Sequence, residues 1–439
     1  MRFRRPRPRI GTGGPTTVKS YTIPGMHVRE HVVPVPLDWS DPSSERIDVF
    51  ARELVDPARK DEELPVLLYL AGGPGGKAPR PLAPNGWVGQ ALESHRILLL
   101  DQRGTGRSTP VTARRIAAFD DGHAAAAYLA HFRADSIVAD AEHLRKTLFG
   151  GERWSTLGQS YGGFTTLVYL SQAPEGLAAC YITGGLAPIT ADATEVYRRT
   201  YPRVAQKNAE FRRRYPHVAD RLAAIADRLA AGDVRLPDGD LLTVRRFQLL
   251  GIDFGMKPGY ERVHWLLDEA FDGDELADGF LSQVEAATSF RGNPLYAVLQ
   301  EAIYASGAGA PAWAAQAERP AEFAAEARPL LLTGEMMYPW MFEEIAGLRP
   351  FHAATEALHA RTEWPELYDL DRLAANDVPV AAAVYFDDMY VDSGLQLDTA
   401  SRVGNLQAWV TNEFEHDGIG SDRVLTHLTE LIRSVGGPR

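Results

Sequence analysis

The sequence predicts an α/β fold in which a mostly parallel sheet is interrupted by a long, mainly helical insertion. Two observations support this prediction. Short apolar runs that end in glycine-rich turns occur in both the N-terminal and C-terminal parts, as expected for strands buried on both faces of a sheet. Between about residues 191 and 350 such runs nearly stop, and amphipathic or alanine-rich segments replace them.

The predicted elements follow one another along the chain. The pattern predicts an antiparallel hairpin at residues 28–35 and 47–54, buried strands at 65–70 and 96–100, a helix at 136–148 and a strand–turn–helix unit at 154–171. Two further strands are predicted at 379–385 and 408–410, and a closing helix at 423–435. We therefore divide the chain into a disordered basic tail (1–23), a first part of the α/β core (24–190), a helical cap (191–350) and a second part of the core (351–439).

Composition excludes several classes of protein. Of the 439 residues 45% are hydrophobic and 24% are charged, which is typical of a globular enzyme. The net charge of −12 argues against a nucleic-acid or anionic-membrane partner. Because Cys180 is the single cysteine, an intramolecular disulfide and a multi-cysteine metal site are excluded. We find neither a signal peptide nor an apolar run of about 20 residues, so we expect a cytoplasmic protein.

The strongest chemical signal is a G-x-S-x-G motif at residues 158–162. It lies between a predicted strand and a predicted helix, the context in which a serine is held on a sharp turn above a sheet. Flanking glycines allow the close backbone approach that such a turn needs. Ser160 is therefore the predicted nucleophile of a serine hydrolase with an α/β-hydrolase fold.

A serine nucleophile needs a base and an acid that orients it, and in this fold they follow the serine in the order acid, then histidine. Asp387 and Asp388 directly follow the predicted strand at 379–385 and Phe386, and His416 precedes the closing helix. We predict His416 as the base and favour Asp388 as the acid, with Asp387 as the alternative.

The turn after the first buried strand, Ala71-Gly72-Gly73-Pro74-Gly75-Gly76, supplies a candidate oxyanion hole. Backbone amides in such a loop can stabilise the oxyanion of a tetrahedral intermediate, together with the amide of the residue after the nucleophile. The predicted donors are the amides of Gly73 and Tyr161.

Three other motifs are incomplete. Residues 72–78 resemble a P-loop but lack its first glycine and its magnesium-binding Ser/Thr. Residues 104–109 have Thr109 in place of the third glycine of a dinucleotide-binding turn. The H-x-x-E-H match at 27–31 precedes a strand-like segment, whereas that zinc site requires a helix. We therefore predict neither a metal nor a cofactor.

Five segments together resemble the prolyl aminopeptidases, also called proline iminopeptidases, of the larger bacterial type: residues 72–75, 101–108, 158–163, 387–392 and 415–418. The similarity extends from about residue 24 to the C-terminus. It implies removal of N-terminal proline from short peptides, without a metal and with a helical cap over the active site. Ala71 departs from the pattern, because many relatives have His or Gln there; this loosens the subfamily assignment.

The resemblance also implies that cap carboxylates hold the free amino group of the substrate. The matching segments contain Glu301 and Glu335, and their aromatic residues suit the apolar proline ring: Tyr304, Tyr338, Trp340 and Phe342. We expect a serine exopeptidase that forms an acyl-enzyme. The alternatives are an aminopeptidase of broader specificity, an esterase or other small-molecule hydrolase, and a non-catalytic binding protein of the same fold.

Overall fold

In the computed structural model, which describes residues 16–438, a nine-stranded sheet forms the centre of the molecule. The strands of the protein are β1 (Thr16–Ile23), β2 (Met26–Pro36), β3 (Arg46–Val55), β4 (Val66–Leu70), β5 (Arg96–Asp101), β6 (Trp154–Gln159), β7 (Leu177–Thr183), β8 (Phe271–Asp272), β9 (Glu275–Leu276), β10 (Gly307–Ala308), β11 (Glu363–Trp364), β12 (Val380–Tyr385) and β13 (Leu406–Thr411).

The α-helices lie between and around these strands. They are α1 (Gly86–Leu92), α2 (Ala113–Ile116), α3 (Gly122–Leu129), α4 (Ala134–Leu148), α5 (Tyr161–Gln172), α6 (Ala193–Arg214), α7 (Val218–Ala230), α8 (Val244–Gln248), α9 (Gly259–Asp268), α10 (Asp278–Thr288), α11 (Pro294–Leu299), α12 (Ala314–Ala317), α13 (Met341–Glu344), α14 (His352–His359), α15 (Leu370–Ala374), α16 (Ser393–Arg402) and α17 (Asp422–Ser434). Within the described residues, no helix has the length and apolar character needed to cross a membrane.

The strand order of the large sheet is β1-β2-β3-β5-β4-β6-β7-β12-β13. The pairs from β1 to β5 are antiparallel, and the pairs from β5 to β13 are parallel. All residues of β4 and of β12 are buried, as expected for strands covered on both faces. The predicted α/β class, with a mostly parallel sheet, is confirmed.

The two faces of the sheet carry separate apolar cores. Leu67 and Leu99 belong to the core covered by α1 and α17, whereas Leu68 and Leu98 belong to the core covered by α4 and α5. Neighbouring residues of one strand point to opposite faces, so a continuous run of leucines serves both cores. This explains why apolar runs without alternation predicted β4 and β5 correctly, whereas β7 was not predicted.

The N-terminal strand corrects one prediction. Residues 16–23, expected to belong to a disordered tail, form β1 and pair with β2 in an antiparallel hairpin. A tight turn makes this pairing possible: Gly25 has φ of 77°, a conformation that suits glycine. The remainder of the predicted tail, residues 1–15, lies outside the described residues.

A single helical insertion separates two neighbouring strands. β7 and β12 pair in parallel, with Cys180 opposite Val380, so the chain between them leaves the sheet and returns beside its starting point. The insertion contains α6 to α15. β10 pairs with β11 across residue 350, the predicted cap boundary, so contacts within the insertion continue to at least Trp364.

Candidate active site

Ser160 occupies the turn between β6 and α5, where the sequence predicted it. Its φ and ψ angles are 55° and −124°, a conformation that non-glycine residues adopt only when the surrounding structure enforces it. Close packing enforces it here: a Cβ atom on Gly162 would lie 1.9 Å from the carbonyl oxygen of Leu70. The half-buried serine therefore stands at the carboxyl edge of the parallel strands.

His416 and Asp388 form a buried pair at the same edge. The distance from His416 Nδ1 to Asp388 Oδ2 is 2.7 Å. The other oxygen of Asp388 accepts hydrogen bonds from the amides of Tyr390 and Val391, at 2.8 and 3.1 Å. Asp387, the alternative acid, is only half-buried, and its Oδ1 atom lies 3.2 Å from Nη1 of Arg203 instead. Of the two aspartates, the structure thus brings Asp388 to the histidine.

The pKa of His416 is raised above its ordinary value. Burial alone would lower the pKa, but the charge and hydrogen bond of Asp388 outweigh that effect, and the negative charge of Glu335 adds to the increase. The protonated imidazole is therefore stabilised, as required of a base that must hold a proton during a reaction.

The end of β7 brings the serine turn and the histidine loop together. The amide of Ser160 donates a hydrogen bond of 2.9 Å to the carbonyl oxygen of Thr183. At the next residue, Gly184, a Cβ atom would lie 3.2 Å from His416 Nδ1. Both side chains therefore lie beside the same short segment.

The glycine-rich turn after β4 lies against the nucleophile. A Cβ atom on Gly72 would lie 3.0 Å from the Cβ atom of Ser160. Gly73 has φ of 126°, and its amide forms no hydrogen bond with another residue of the described chain. Tyr161 is the first residue of α5, so its amide has no acceptor within the helix. Two amide donors thus flank Ser160.

Glu335 of the insertion lies near the His416–Asp388 pair, whose charges act on its carboxylate. Its Oε1 atom accepts a hydrogen bond from the hydroxyl of Tyr296. Burial raises the pKa of Glu335 to about 7, although the bond from Tyr296 and the charge of His416 act in the opposite direction. Glu335 remains partly accessible although protein surrounds it, which is typical of a group that lines an internal cleft.

Glu301 has a different environment from Glu335. Its side chain is 0% exposed, and its two oxygens accept hydrogen bonds from the amides of Ala314 and Ala315, at 2.8 and 2.9 Å. His359 Nδ1 lies 3.4 Å from the same carboxylate. Glu301 therefore holds the start of α12, which differs from the amine-binding role that the resemblance implied.

The four aromatic residues predicted for the pocket divide into two groups. The ring centroids of Tyr304 and of Phe164 in α5 are 5.9 Å apart. Burial and the negative charge of Glu335 raise the pKa of Tyr304, so this residue lies near the site. The other three are buried in the insertion, where their aromatic partners are also insertion residues: Tyr338 with Tyr201 and Trp340, and Phe342 with Trp313. Their contact with substrate stays a prediction.

Sequence reasoning did not single out Tyr296 and Tyr390. Tyr296 bonds to Glu335, and the ring of Tyr390 meets the ring of His416 edge-on, with centroids 4.9 Å apart. Tyr390 could have been found from its position two residues after Asp388. Tyr296 gave no such signal, because its partner is 39 residues further along the chain.

The parallel sheet, the strained serine and the buried Asp–His pair define an α/β hydrolase, and a family model described as alpha/beta hydrolase fold matches residues 65–228. Two relatives extend the similarity. A proline iminopeptidase from Aeromonas sobria is 47% identical over 419 residues, covering 94% of this chain and 98% of its own. One from Aspergillus aculeatus is 35% identical over 404 residues, covering 88% of each chain. This chain belongs to the proline iminopeptidase family, which confirms the resemblance.

Proposed function

We propose that this protein is a serine exopeptidase that releases N-terminal proline from short peptides. The observation that carries the proposal is the partly accessible Glu335 carboxylate near the His416–Asp388 pair. An anionic group at a fixed place near the nucleophile suits the cationic amino terminus of a peptide and excludes a peptide bond in the middle of a chain. Membership of the proline iminopeptidase family supports proline as the residue released.

In the proposed reaction, His416 takes the hydroxyl proton of Ser160 while the serine oxygen attacks the proline carbonyl carbon. Asp388 holds the imidazole in the required tautomer. The amides of Gly73 and Tyr161 stabilise the negatively charged oxygen of the tetrahedral intermediate. His416 then gives the proton to the leaving amine, and the C–N bond breaks. Water repeats the sequence on the ester and frees proline.

We assign the substrate's amino group to Glu335 and the cap to the helical insertion, residues 191–350 extended to about Trp364. Glu301 has both oxygens engaged and no exposed surface, which favours Glu335 as the direct ligand. We place the substrate pocket beside Tyr304. The expected partners are short peptides with N-terminal proline, and the cytoplasmic location expected from the sequence stays a prediction.

The proposal is tested with three chromogenic amides: those of proline, alanine and N-acetylproline. An exopeptidase for proline cleaves the first much faster than the second and does not cleave the third, because acetylation removes the cationic amine. Comparable rates for proline and alanine would instead indicate a broader aminopeptidase, and cleavage of the acetylated amide or of simple esters alone would indicate another hydrolase. The Ser160→Ala variant, checked for folding, shows whether the rate depends on this serine.

A further inference from the structure

A cleft of about 780 Å³ opens at the junction between the core and the insertion. Core loops around Gly75, Thr105 and Thr112 form one wall, and insertion segments around Asn293 and Pro350 form the other. No carboxylate side chain is among the described residues that line this cleft, although the chain as a whole carries a net charge of −12. The cleft therefore differs in electrostatic character from the rest of the protein.

Lys77 supplies the available positive charge of this cleft. Its side chain is exposed and forms neither an ion pair nor a hydrogen bond with any residue that the structure describes. Arg291, the other cation among the described lining residues, already bonds to Asp238 at 2.9 Å. Lys77 is also the lysine of the glycine-rich stretch that resembles an incomplete P-loop, and the mechanism above leaves it unused.

The turn after β4 places Lys77 close to the reacting bond. A Cβ atom on Gly73, the candidate oxyanion donor, would lie 2.8 Å from the amide nitrogen of Gly76, which directly precedes Lys77. Because consecutive Cα atoms are about 3.8 Å apart, the Cα atom of Lys77 lies within about 10 Å of that of Gly73. An extended peptide advances about 3.3–3.6 Å per residue, so Lys77 is within reach of the one or two residues that follow the scissile bond.

One segment of the insertion connects the cleft with the amine site. Asn293, which lines the cleft, donates a hydrogen bond of 3.4 Å from Nδ2 to the carbonyl oxygen of Pro74 in the turn after β4. Three residues further along the chain, the hydroxyl of Tyr296 donates to Glu335. The turn that carries the oxyanion donor therefore contacts the segment that leads to an anionic group, and ends at the cationic Lys77.

A short peptide with free ends carries a positive charge at its amino terminus and a negative charge at its carboxyl terminus. We propose that Lys77 binds the terminal carboxylate of the substrate while Glu335 binds its amino group. The enzyme then favours tripeptides and similarly short peptides with a free C-terminal carboxylate. This inference rests on the proposed function and names the class of peptide that the site selects.

A second cleft, of about 900 Å³, also approaches the site, because Tyr304 is among its lining residues. This cleft contains one cation, Arg372, and four carboxylates, those of Asp192, Glu366, Asp369 and Asp371. A negatively charged chain end is repelled there, whereas a C-terminal amide is not. The two clefts therefore predict opposite preferences for the end of the peptide.

The test compares Pro-Gly-Gly with its C-terminal amide, which differs from it only in the charge at the chain end. In the wild type, kcat/KM for proline release should be about fivefold higher for the free acid, as for one ion pair partly exposed to solvent. In Lys77→Met this acid-to-amide ratio should fall to about one, mainly through a higher KM for the acid. Lys77→Arg keeps the positive charge and should restore the preference.

Lys19→Met is the matched control. Lys19 is an exposed lysine of β1, the outermost strand of the large sheet, so this variant removes the same charge away from the site. It should keep the acid-to-amide ratio of the wild type. An unchanged ratio in Lys77→Met would overturn the inference, as would an equal fall of the ratio in Lys19→Met. A wild type that prefers the amide would also overturn it and would favour the acidic cleft beside Tyr304.

The proposed function is judged separately, with the chromogenic amide of proline, which has no carboxylate. If the wild type releases no proline from this amide or from either peptide, the proposed function is wrong. If the wild type is active but its acid-to-amide ratio does not depend on Lys77, only the role of Lys77 is contradicted. Because Lys77 has an exposed side chain without a partner in the described chain, Lys77→Met should keep the melting temperature of the wild type, which thermal unfolding checks.

Discussion

The Nδ1 atom of His416 lies 2.7 Å from Oδ2 of Asp388, and both side chains are buried. Asp388 also accepts two backbone amides on its other oxygen, which fixes the carboxylate in one orientation. A carboxylate held in this way keeps a hydrogen on Nδ1 and leaves Nε2 free to accept a proton. This relationship makes the two neighbouring aspartates chemically distinct.

Replacing Asp388 by Asn should lower kcat by about 10⁴-fold, because an amide in this position favours the wrong tautomer of the histidine. Asp387→Asn is the matched control. Asp387 is half-buried and its ion pair within the described residues is with Arg203, so its replacement should leave kcat almost unchanged. Steady-state kinetics with a prolyl amide measures both variants, and a large loss of kcat in Asp387→Asn would reverse the assignment.

The pH dependence of activity should reflect Glu335 as well as His416. The amine site requires ionised Glu335, whose pKa is about 7, so kcat/KM for prolyl substrates should rise between about pH 6 and pH 8. In Glu335→Gln, the pKa of His416 should fall, because a negative charge that raises it has been removed. The acid limb of kcat should therefore move to lower pH. An unchanged limb would show that the two groups do not interact.

The same variant should change how stability depends on pH. The pKa of Glu335 is raised from 4.5 to about 7 in the folded protein, so the folded state binds more protons than the unfolded state within this window. The contribution of Glu335 to stability is thus greatest below pH 4.5 and falls as pH rises to about 7. The melting temperature of Glu335→Gln relative to the wild type should be higher at pH 8 than at pH 5. A constant difference would contradict this.

Gly162→Ala should strongly destabilise the protein, by about 1–3 kcal/mol or more, because its Cβ atom would lie 1.9 Å from a backbone oxygen and the β6–α5 turn would have to move. Gly279→Ala in α10 provides the comparison. A Cβ atom there meets nothing within 4 Å, so alanine should stabilise the helix by about 0.5–1 kcal/mol. Urea unfolding measures both, and similar effects in the two variants would contradict the packing argument.

Arg103 and Asp140 form a buried ion pair between the loop after β5 and α4, with 2.7 Å from Nε to Oδ2 and 2.6 Å from Nη2 to Oδ1. Arg103→Met should lower the free energy of unfolding by about 3–5 kcal/mol, because it leaves a buried carboxylate without its cation. The double variant with Asp140→Leu should be more stable than the single variant. Denaturant titration checks this, and an even less stable double variant would contradict the explanation.

Local patterns located seven of the nine strands of the large sheet, all but β1 and β7, and they also picked out the candidate reacting residues. Ser160 and His416 follow strands whose ends must meet at one edge of a parallel sheet, so chain order alone placed them near each other. The choice between Asp387 and Asp388 was different, because it depends on the direction in which each side chain points. Sequence order could not decide it, whereas in the structure Asp388 is buried and lies beside His416, which favours Asp388 as the acid.

The insertion was the least predictable part of the site. The resemblance pointed to Glu301 and Glu335 as equivalent carboxylates, but Glu301 holds the start of α12, whereas Glu335 accepts a hydrogen bond from Tyr296. These contacts join segments that are distant along the chain and depend on how the insertion folds back on the core.

The pairing of β7 with β12 has a consequence for how such a protein can diversify. The chain leaves the sheet and re-enters it through adjacent strands, with the amide of Gly184 bonded to the carbonyl of Ala383 at 2.9 Å. A segment anchored at two adjoining points can be exchanged without altering the register of the sheet. Ser160, Asp388 and His416 lie in the segments that follow β6, β12 and β13, and Glu335 belongs to the exchangeable segment. Under the proposed function, bond cleavage and recognition of the peptide's amino group therefore belong to parts of the chain that can be varied separately.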